Sequence, residues 1–350
     1  MRILQVLGIL LLAAAVAAAV SYAVVNLQRR DTTSTVTRGP LPQVGQAEGP
    51  QTAAQRAADS VVWIETGAAP TPTAGRAAGP GPGGTGAIVG ARGYVLTAET
   101  VVSGAAGLSV VLASGKTMPA LVVGTDPAEG LALLKVEATN LKPLQVFGGT
   151  PLETGSGVAV MAAPPGFQMG VGAVATAHTT TTVVDAARPG HQVVLNDVAA
   201  LDVAQREGQL GAPILDGAGR LIGLVVSAGP QAYGVDMADA QPSVQQLIDT
   251  GHVSFPSLGF DYRQLTASEA SGHDVAAGVE VLAVAAGGAA AQAGIAVGDV
   301  VVSANGTNLD PAHPLIRILR GVSVRQSVAL SVKTPSTTKR VSVPLALVSS

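Results

Sequence analysis

The residues whose spacing best suggests chemistry lie in the stretch REGQLGAPIL, 206–215, where a sharp glycine-containing turn carries Leu210 at its tip. Many enzymes build such turns to present a nucleophile. A base stands in reach to take its proton, and a third group orients the base. Leucine has none of that chemistry. Candidate bases are few. The histidines are His178, His191, His252, His273 and His313, so none precedes residue 178. All five read as surface residues, with His178 and His191 flanking a Thr-rich loop. Glu99 and Glu129 could work as an acid–base pair, but each reads more simply as a solvated turn residue. Thr100 offers a hydroxyl with no base near it in sequence. The chain has no cysteine, which excludes disulfides, thiolate metal sites and cysteine nucleophiles. GxSxG and HExxH are absent, and no spacing suits a metal. Neither cofactor nor metal is expected.

Whatever chemistry exists must be positioned by elements of limited polarity. The 350 residues are 47% hydrophobic and only 12% charged, with 43 Gly and 22 Pro. That is ample core material for two domains joined by many turns. The net charge of −3, with no Lys/Arg-rich block, argues against nucleic acid as a partner. The apolar run Ile3–Val25 is broken only by Gln5 and Ser21. At about 1.5 Å per residue it spans a bilayer core, so residues 1–27 are expected to form a single-pass transmembrane anchor. A cleaved signal peptide, giving a secreted form, is the alternative. Arg2 and the terminal amine face Arg29 and Arg30 across the run, a nearly balanced charge pattern. The favoured topology puts the bulk of the chain outside the cytoplasm. Residues 28–54 are polar and aperiodic, a linker.

From residue 55 to 250 short β-branched runs recur, separated by Gly- and Pro-containing turns: SVVWIET, GAIVGARGYVLTA, LSVVLAS, LALLKVEA, GVAVMAAP and GRLIGLVV among them. This is the pattern of an all-β barrel or sandwich. Residues 71–84 read as an exposed Pro/Gly loop, and PSVQQLIDT (242–250) as a short helix closing the unit. Residues 251–350 form a second unit of α+β character. An Asn305-Gly306 hairpin signal joins two of its strands, and the helix PAHPLIRILRG has Pro near its start and Gly after its end.

Two patterns carry a resemblance. GGAAAQAGIAVGDVVVSANGTNL resembles the helix, Gly-Asp turn and hairpin of a PDZ domain, and SLGF, 257–260, resembles its carboxylate-binding loop. Residues 53–245 resemble the trypsin-like double β-barrel of HtrA/Deg proteases. TGAIVGARGYVLTAETVV, GTDPAEGLALLKVEA and REGQLGAPILDGAGRLIGL stand where that family has its histidine, aspartate and serine segments, and AYGVDM resembles a decayed substrate-pocket strand. Carried over position by position, the histidine falls at Thr100, the aspartate at Gly130 and the serine at Leu210. The three triad positions are empty, and Gly208 remains from the oxyanion loop.

The resemblance implies a mainly β chain: a trypsin-like double β-barrel, then an α+β PDZ domain, with an N-terminal transmembrane helix. It implies a catalytically inactive, membrane-anchored protein that binds extended or C-terminal peptide segments of envelope proteins as scaffold, chaperone or regulator. Ser257, Leu258, Gly259 and Phe260 would hold the peptide, with Leu315 or Ile316 and Leu319 lining the groove. Apolar residues at 315, 316, 318 and 319 cover both faces of that helix, so groove and core are not separated. Homo-trimers or hetero-oligomers with active paralogues are further implied partners. Two other readings stand beside this one: a structural subunit of a membrane complex with a vestigial groove, and an active serine endopeptidase using another constellation.

Overall fold

The computed structural model describes residues 56–67, 83–149, 151–163, 168–184, 192–311, 313–323 and 325–349. The apolar run Ile3–Val25, the linker 28–54 and His191 lie outside the described residues. Among those described, no helix is long and apolar enough to cross a membrane.

Two closed antiparallel barrels come first. β1 (Val61–Thr66), β2 (Gly83–Gly90), β3 (Tyr94–Ala98), β4 (Leu108–Val111), β5 (Thr117–Asp126) and β6 (Leu131–Val136) close in the order β1-β2-β3-β6-β5-β4. β7 (Gly157–Ala162), β8 (Gln168–Val184), β9 (Gln192–Asp202), β10 (Pro213–Leu215), β11 (Leu221–Ser227) and β12 (Ala232–Asp236) close as β10-β11-β12-β9-β8-β7. The uninterrupted apolar run in β1 follows from burial on both faces. Val62 and Ile64 join the core inside the first barrel. Val61 and Trp63, pointing the other way by the two-residue period, join a cluster with Leu133, Met161, Leu195 and Leu224 between the barrels.

Three boundaries differ from the sequence reading. Gly83 and Gly84 belong to β2 rather than to the loop before it. The Thr-rich segment beside His178 is strand, not loop: Thr179 to Thr182 pair with Val198 to Val194 along a hairpin of β8 and β9. Threonine is β-branched and favours that state. The closing helix is α2 (Met237–Thr250), following a short α1 (Glu99–Val102), and it starts five residues before Pro242. Pro242 signals a helix start, but Asp236 already caps the helix, accepting from the Ala238 N–H at 2.7 Å. α2 begins on the second barrel, where the other oxygen of Asp236 accepts from Leu152 N–H at 2.6 Å. It ends on the first: Gly251, its C-cap at φ +79°, sets its carbonyl against Gly124 of β5 so closely that a side chain there would collide.

The C-terminal unit follows. β13 (Ser254–Ser257) pairs with β20 (Ala346–Ser349). β14 (Phe260–Gln264), β15 (Val279–Val284), β16 (Val300–Ala304), β18 (Ser327–Lys333) and β19 (Thr338–Pro344) form one sheet in that order, with β17 (Thr307–Asn308) on β16. Asn305 and Gly306 take φ of +49° and +84°, the turn their dipeptide signals. Three short helices, α3 (Ala267–Gly272), α4 (Ala289–Gln292) and α5 (Leu315–Arg320), flank the sheet. Leu258, Phe260, Val281, Leu315, Leu319 and Leu330 share its core.

Candidate functional site

The turn at Leu210 is fastened from the opposite barrel. Thr85 of β2 donates its hydroxyl to the Gly208 carbonyl at 2.7 Å and its N–H to the Leu210 carbonyl at 2.8 Å. The same hydroxyl accepts from Ala163 N–H at 2.9 Å, and the Thr97 hydroxyl donates to the Thr85 carbonyl at 2.7 Å. Thr85 and Thr97 are fully buried, so these bonds satisfy groups that would each cost about 1–3 kcal/mol if orphaned. Gly208 sits at φ +73°, and a Cβ on it would meet Trp63 at 2.6 Å. Glycine is required there by both conformation and space.

The three positions named from the sequence converge on this seam. Thr100 lies on α1, and its buried hydroxyl oxygen has no hydrogen-bond partner among the described residues. The next residue, Val101, and the Leu210 carbonyl flank Gly84, where a Cβ would meet them at 2.6 and 2.7 Å. Gly130 accepts from the Glu99 N–H at 2.8 Å. It sits at φ +67°, and a Cβ there would lie 2.9 Å from Leu195 Cδ1. Leu210 is half-buried and packs on the first barrel's core beside Val101 and Val102. None of the three carries a titratable group.

The neighbouring acids are not as expected. Glu129 is 6% exposed and ion-paired with Arg320 of α5, so it is no solvated turn residue. Packing of the C-terminal unit on the turn removes its solvent. Glu99 is half-buried. Nor is His178 a free surface group: its Nδ1 lies 2.7 Å from Asp197 Oδ1. The extended β8–β9 hairpin carries both residues. His252 and His313 are exposed and His273 is half-buried.

A second site forms where the sequence expects a peptide groove. A cavity of about 410 Å³ is lined by Ser257, Leu258, Phe260, Leu315, Ile316 and Leu319, within the usual range of ligand pockets. Gly259 of the same loop shapes it from φ +82°, and its N–H donates to Ser257 Oγ at 3.1 Å. The faces of α5 are now separated: Leu315 and Leu319 are core and groove floor at once, Ile316 lines the groove, and Ile318 packs on the core away from it. Tyr262 reaches across from β14, accepting from the Ile316 N–H, and burial pushes its phenol well above the usual value.

The groove's other wall belongs to the barrels: Pro127, Ala128, Glu129, Val193, Val194 and Asn196. Arginines of α5 clamp it there. Arg317 donates to Asp239 Oδ2 at 2.6 Å and stands 3.1 Å from Asp197 Oδ2. Burial disfavours its charge, but Asp197 and Asp239 outweigh that and hold it above its ordinary value. Arg320 pairs with Glu129 and, at 3.7 Å, with Asp239. Burial pushes Arg320 down and nearby Asp126 up. Both arginines, with Thr85 and Asn196, act across the fold and carry no local sequence signal, unlike the apolar positions of this helix.

Comparison with known proteins agrees with this geometry. Residues 84–224 match the family described as a trypsin-like peptidase domain, and residues 280–334 that of the PDZ domain. A probable periplasmic DegP-like serine endoprotease of Bartonella henselae is 30% identical over 262 residues, 71% of this chain and 50% of its own. The serine protease Do-like HtrB of Bacillus subtilis is 31% identical over 245 residues, 65% of this chain and 53% of its own. The chain thus spans about half the length of these curated relatives. The solved structure of the HtrA-type protease AlgW with a decapeptide shares the fold, at TM-score 0.59 and 22% identity over 85% of this chain and 98% of that one. Two barrels meeting at a glycine turn and leading into this sheet place the chain in the HtrA/DegP type, a trypsin-like serine protease domain followed by a C-terminal PDZ domain.

Proposed function

We propose that the chain is a catalytically inactive member of this type, anchored at the membrane by residues 1–27 with the barrels and PDZ domain outside the cytoplasm. It binds extended or C-terminal peptide segments of envelope proteins as scaffold, chaperone or regulator. One observation carries the loss of catalysis. At the positions where the family's histidine, aspartate and serine fall, Thr100, Gly130 and Leu210 bring a lone hydroxyl and no base, acid or attacking serine to the seam. Acyl transfer needs a nucleophile and a base in one reach. The Thr100 hydroxyl has no such partner. The remaining glycine turn around Gly208 keeps a shape without a nucleophile to serve. The lined groove beside Phe260 supports the binding role, and the apolar run Ile3–Val25 supports the anchor. Relatives named as periplasmic support the compartment.

The test pairs a fluorophosphonate serine probe with a casein assay on the full chain. No labelling and no cleavage are expected. Labelling, or cleavage lost on Thr100→Val, restores the reading of an active endopeptidase.

A further inference from the structure

The edge of β14 is not open along its length. β14 is the first strand of its sheet, so one row of its backbone groups faces the groove. A partner's C-terminus whose carboxylate meets the 257–260 loop must run antiparallel to β14. Its last residue then stands opposite Phe260, the next opposite Asp261 and the third opposite Tyr262. The Tyr262 carbonyl, which that third residue would need, is already taken: Asn196 of β9 donates to it from Nδ2 at 3.2 Å. The Asn196 amide is held at its other end as well, its Oδ1 lying 3.5 Å from the Thr180 hydroxyl. Asp197, the next residue, pairs with Arg317 of α5. The barrel strand thus lies where a longer ligand would continue.

Charge narrows the occupant further. The cavity lining includes no Lys, Arg or His and two carboxylates, Glu129 and Asp261. Glu129 is held by Arg320. Asp261 is exposed, and no ion pair engages it among the described residues.

We propose that Asn196 sets the reading length of the groove, an inference that rests on the peptide-binding function above. The site takes only the last two residues of a partner's C-terminus: an apolar residue over Leu258, Phe260, Leu315 and Leu319, preceded by a cationic one facing Asp261. Asn196 is a specificity-determining residue, a fixed surrogate for the ligand's third residue.

Fluorescence anisotropy on the full chain in detergent tests this with fluorescein-labelled peptides ending in Lys-Val or Glu-Val. Each is made two and ten residues long, with a free or amidated terminus. The wild type should bind the two- and ten-residue Lys-Val peptides within about twofold, and amidation should abolish binding. Asn196→Ala and Asn196→Asp should each let the longer peptide gain about fivefold over the shorter, the worth of one backbone hydrogen bond. Asp261→Asn should erase a preference of about fivefold for Lys-Val over Glu-Val. Unchanged thermal midpoints show that the variants are folded. A wild type that already favours the longer peptide, equally in both Asn196 variants, overturns the inference while peptide binding stands. If no free-terminus peptide binds the wild type or either variant, the peptide-binding function falls and the inference with it.

Discussion

Gly130 shows how poorly an acid would be accommodated at its position. An aspartate there must enter a left-handed backbone with its Cβ 2.9 Å from Leu195 Cδ1 and 3.4 Å from Val226 Cβ. Overpacking at such a site costs about 1–3 kcal/mol, and a carboxylate buried among leucine and valine adds to it. Gly130→Asp should therefore lose about 2–4 kcal/mol in urea unfolding, and in combination with Leu195→Ala the loss should be smaller than the sum of the two single losses. The combined variant Thr100→His, Gly130→Asp, Leu210→Ser should leave casein uncut, since the aspartate cannot reach a relaxed position. At this scale the sequence was legible where the signal is local. Leu210, Gly208 and Thr100 each sit in a short motif. Thr85, Asn196 and Arg317 were not legible, because their partners lie 123, 66 and 78 residues away in sequence. No local pattern marks an asparagine or a threonine that bonds across that distance.

Helix ends carry the next level of specification. Asp236 serves both a cap and a loop, bonding Ala238 N–H and Leu152 N–H with its two oxygens. Asp236→Ala removes a cap worth about 1 kcal/mol and orphans a buried N–H worth about 1–3 kcal/mol. A loss of about 2–4 kcal/mol is expected in denaturant unfolding. α3 opens with a capping box in which Thr266 and Glu269 exchange bonds. The Thr266 backbone and hydroxyl, with Arg263, hold the Glu269 carboxyl well below its usual value. A lowered folded value stabilises above the unfolded one and is lost as pH falls through the folded one. The stability gap between wild type and Glu269→Gln should thus be full above pH about 4.5 and shrink steadily on acidification below it, followed by thermal midpoint. In the PDZ unit the Asn305-Gly306 hairpin and the helix before Gly321 were readable from local signals, whereas β13, β14 and α3 were not. The start of α2 was misread because Pro242 is a strong local signal and Asp236 a tertiary one.

At the scale of the molecule, the clamp between barrels and PDZ unit is electrostatic. Two arginines of α5 meet Asp197, Asp239 and Glu129, and each of the five side chains is 30% exposed or less. Removing one side of a buried pair strands its partner at about 3–5 kcal/mol. In Arg317→Met, Arg320→Met the stranded acids should push the two units apart rather than stay dry. Proteinase K should then cut the 251–255 connection about tenfold faster than in the wild type, since local opening governs such cleavage. Equal rates would mean that apolar contacts alone hold the units. Strand periodicity and turn spacing foretold an all-β unit followed by an α+β unit, and the resemblance implied two barrels and a PDZ domain. They could not foretell the clamp, because arginine on a helix is ordinarily a solvated residue.

The path of α2 has a consequence for how the barrels come apart. The helix is capped on the second barrel by Asp236 and ends with Gly251 pressed on Gly124 of the first. Leu247 and Val244 bury in the cluster that also holds Trp63 and Leu195. Neither barrel can melt without stripping one end of that helix and one side of the shared apolar seam. The pair should therefore unfold as a single cooperative unit, absorbing heat in one transition whose calorimetric and van 't Hoff enthalpies agree. A bulkier residue at Gly124 would lift the helix from the first barrel and split that transition in two.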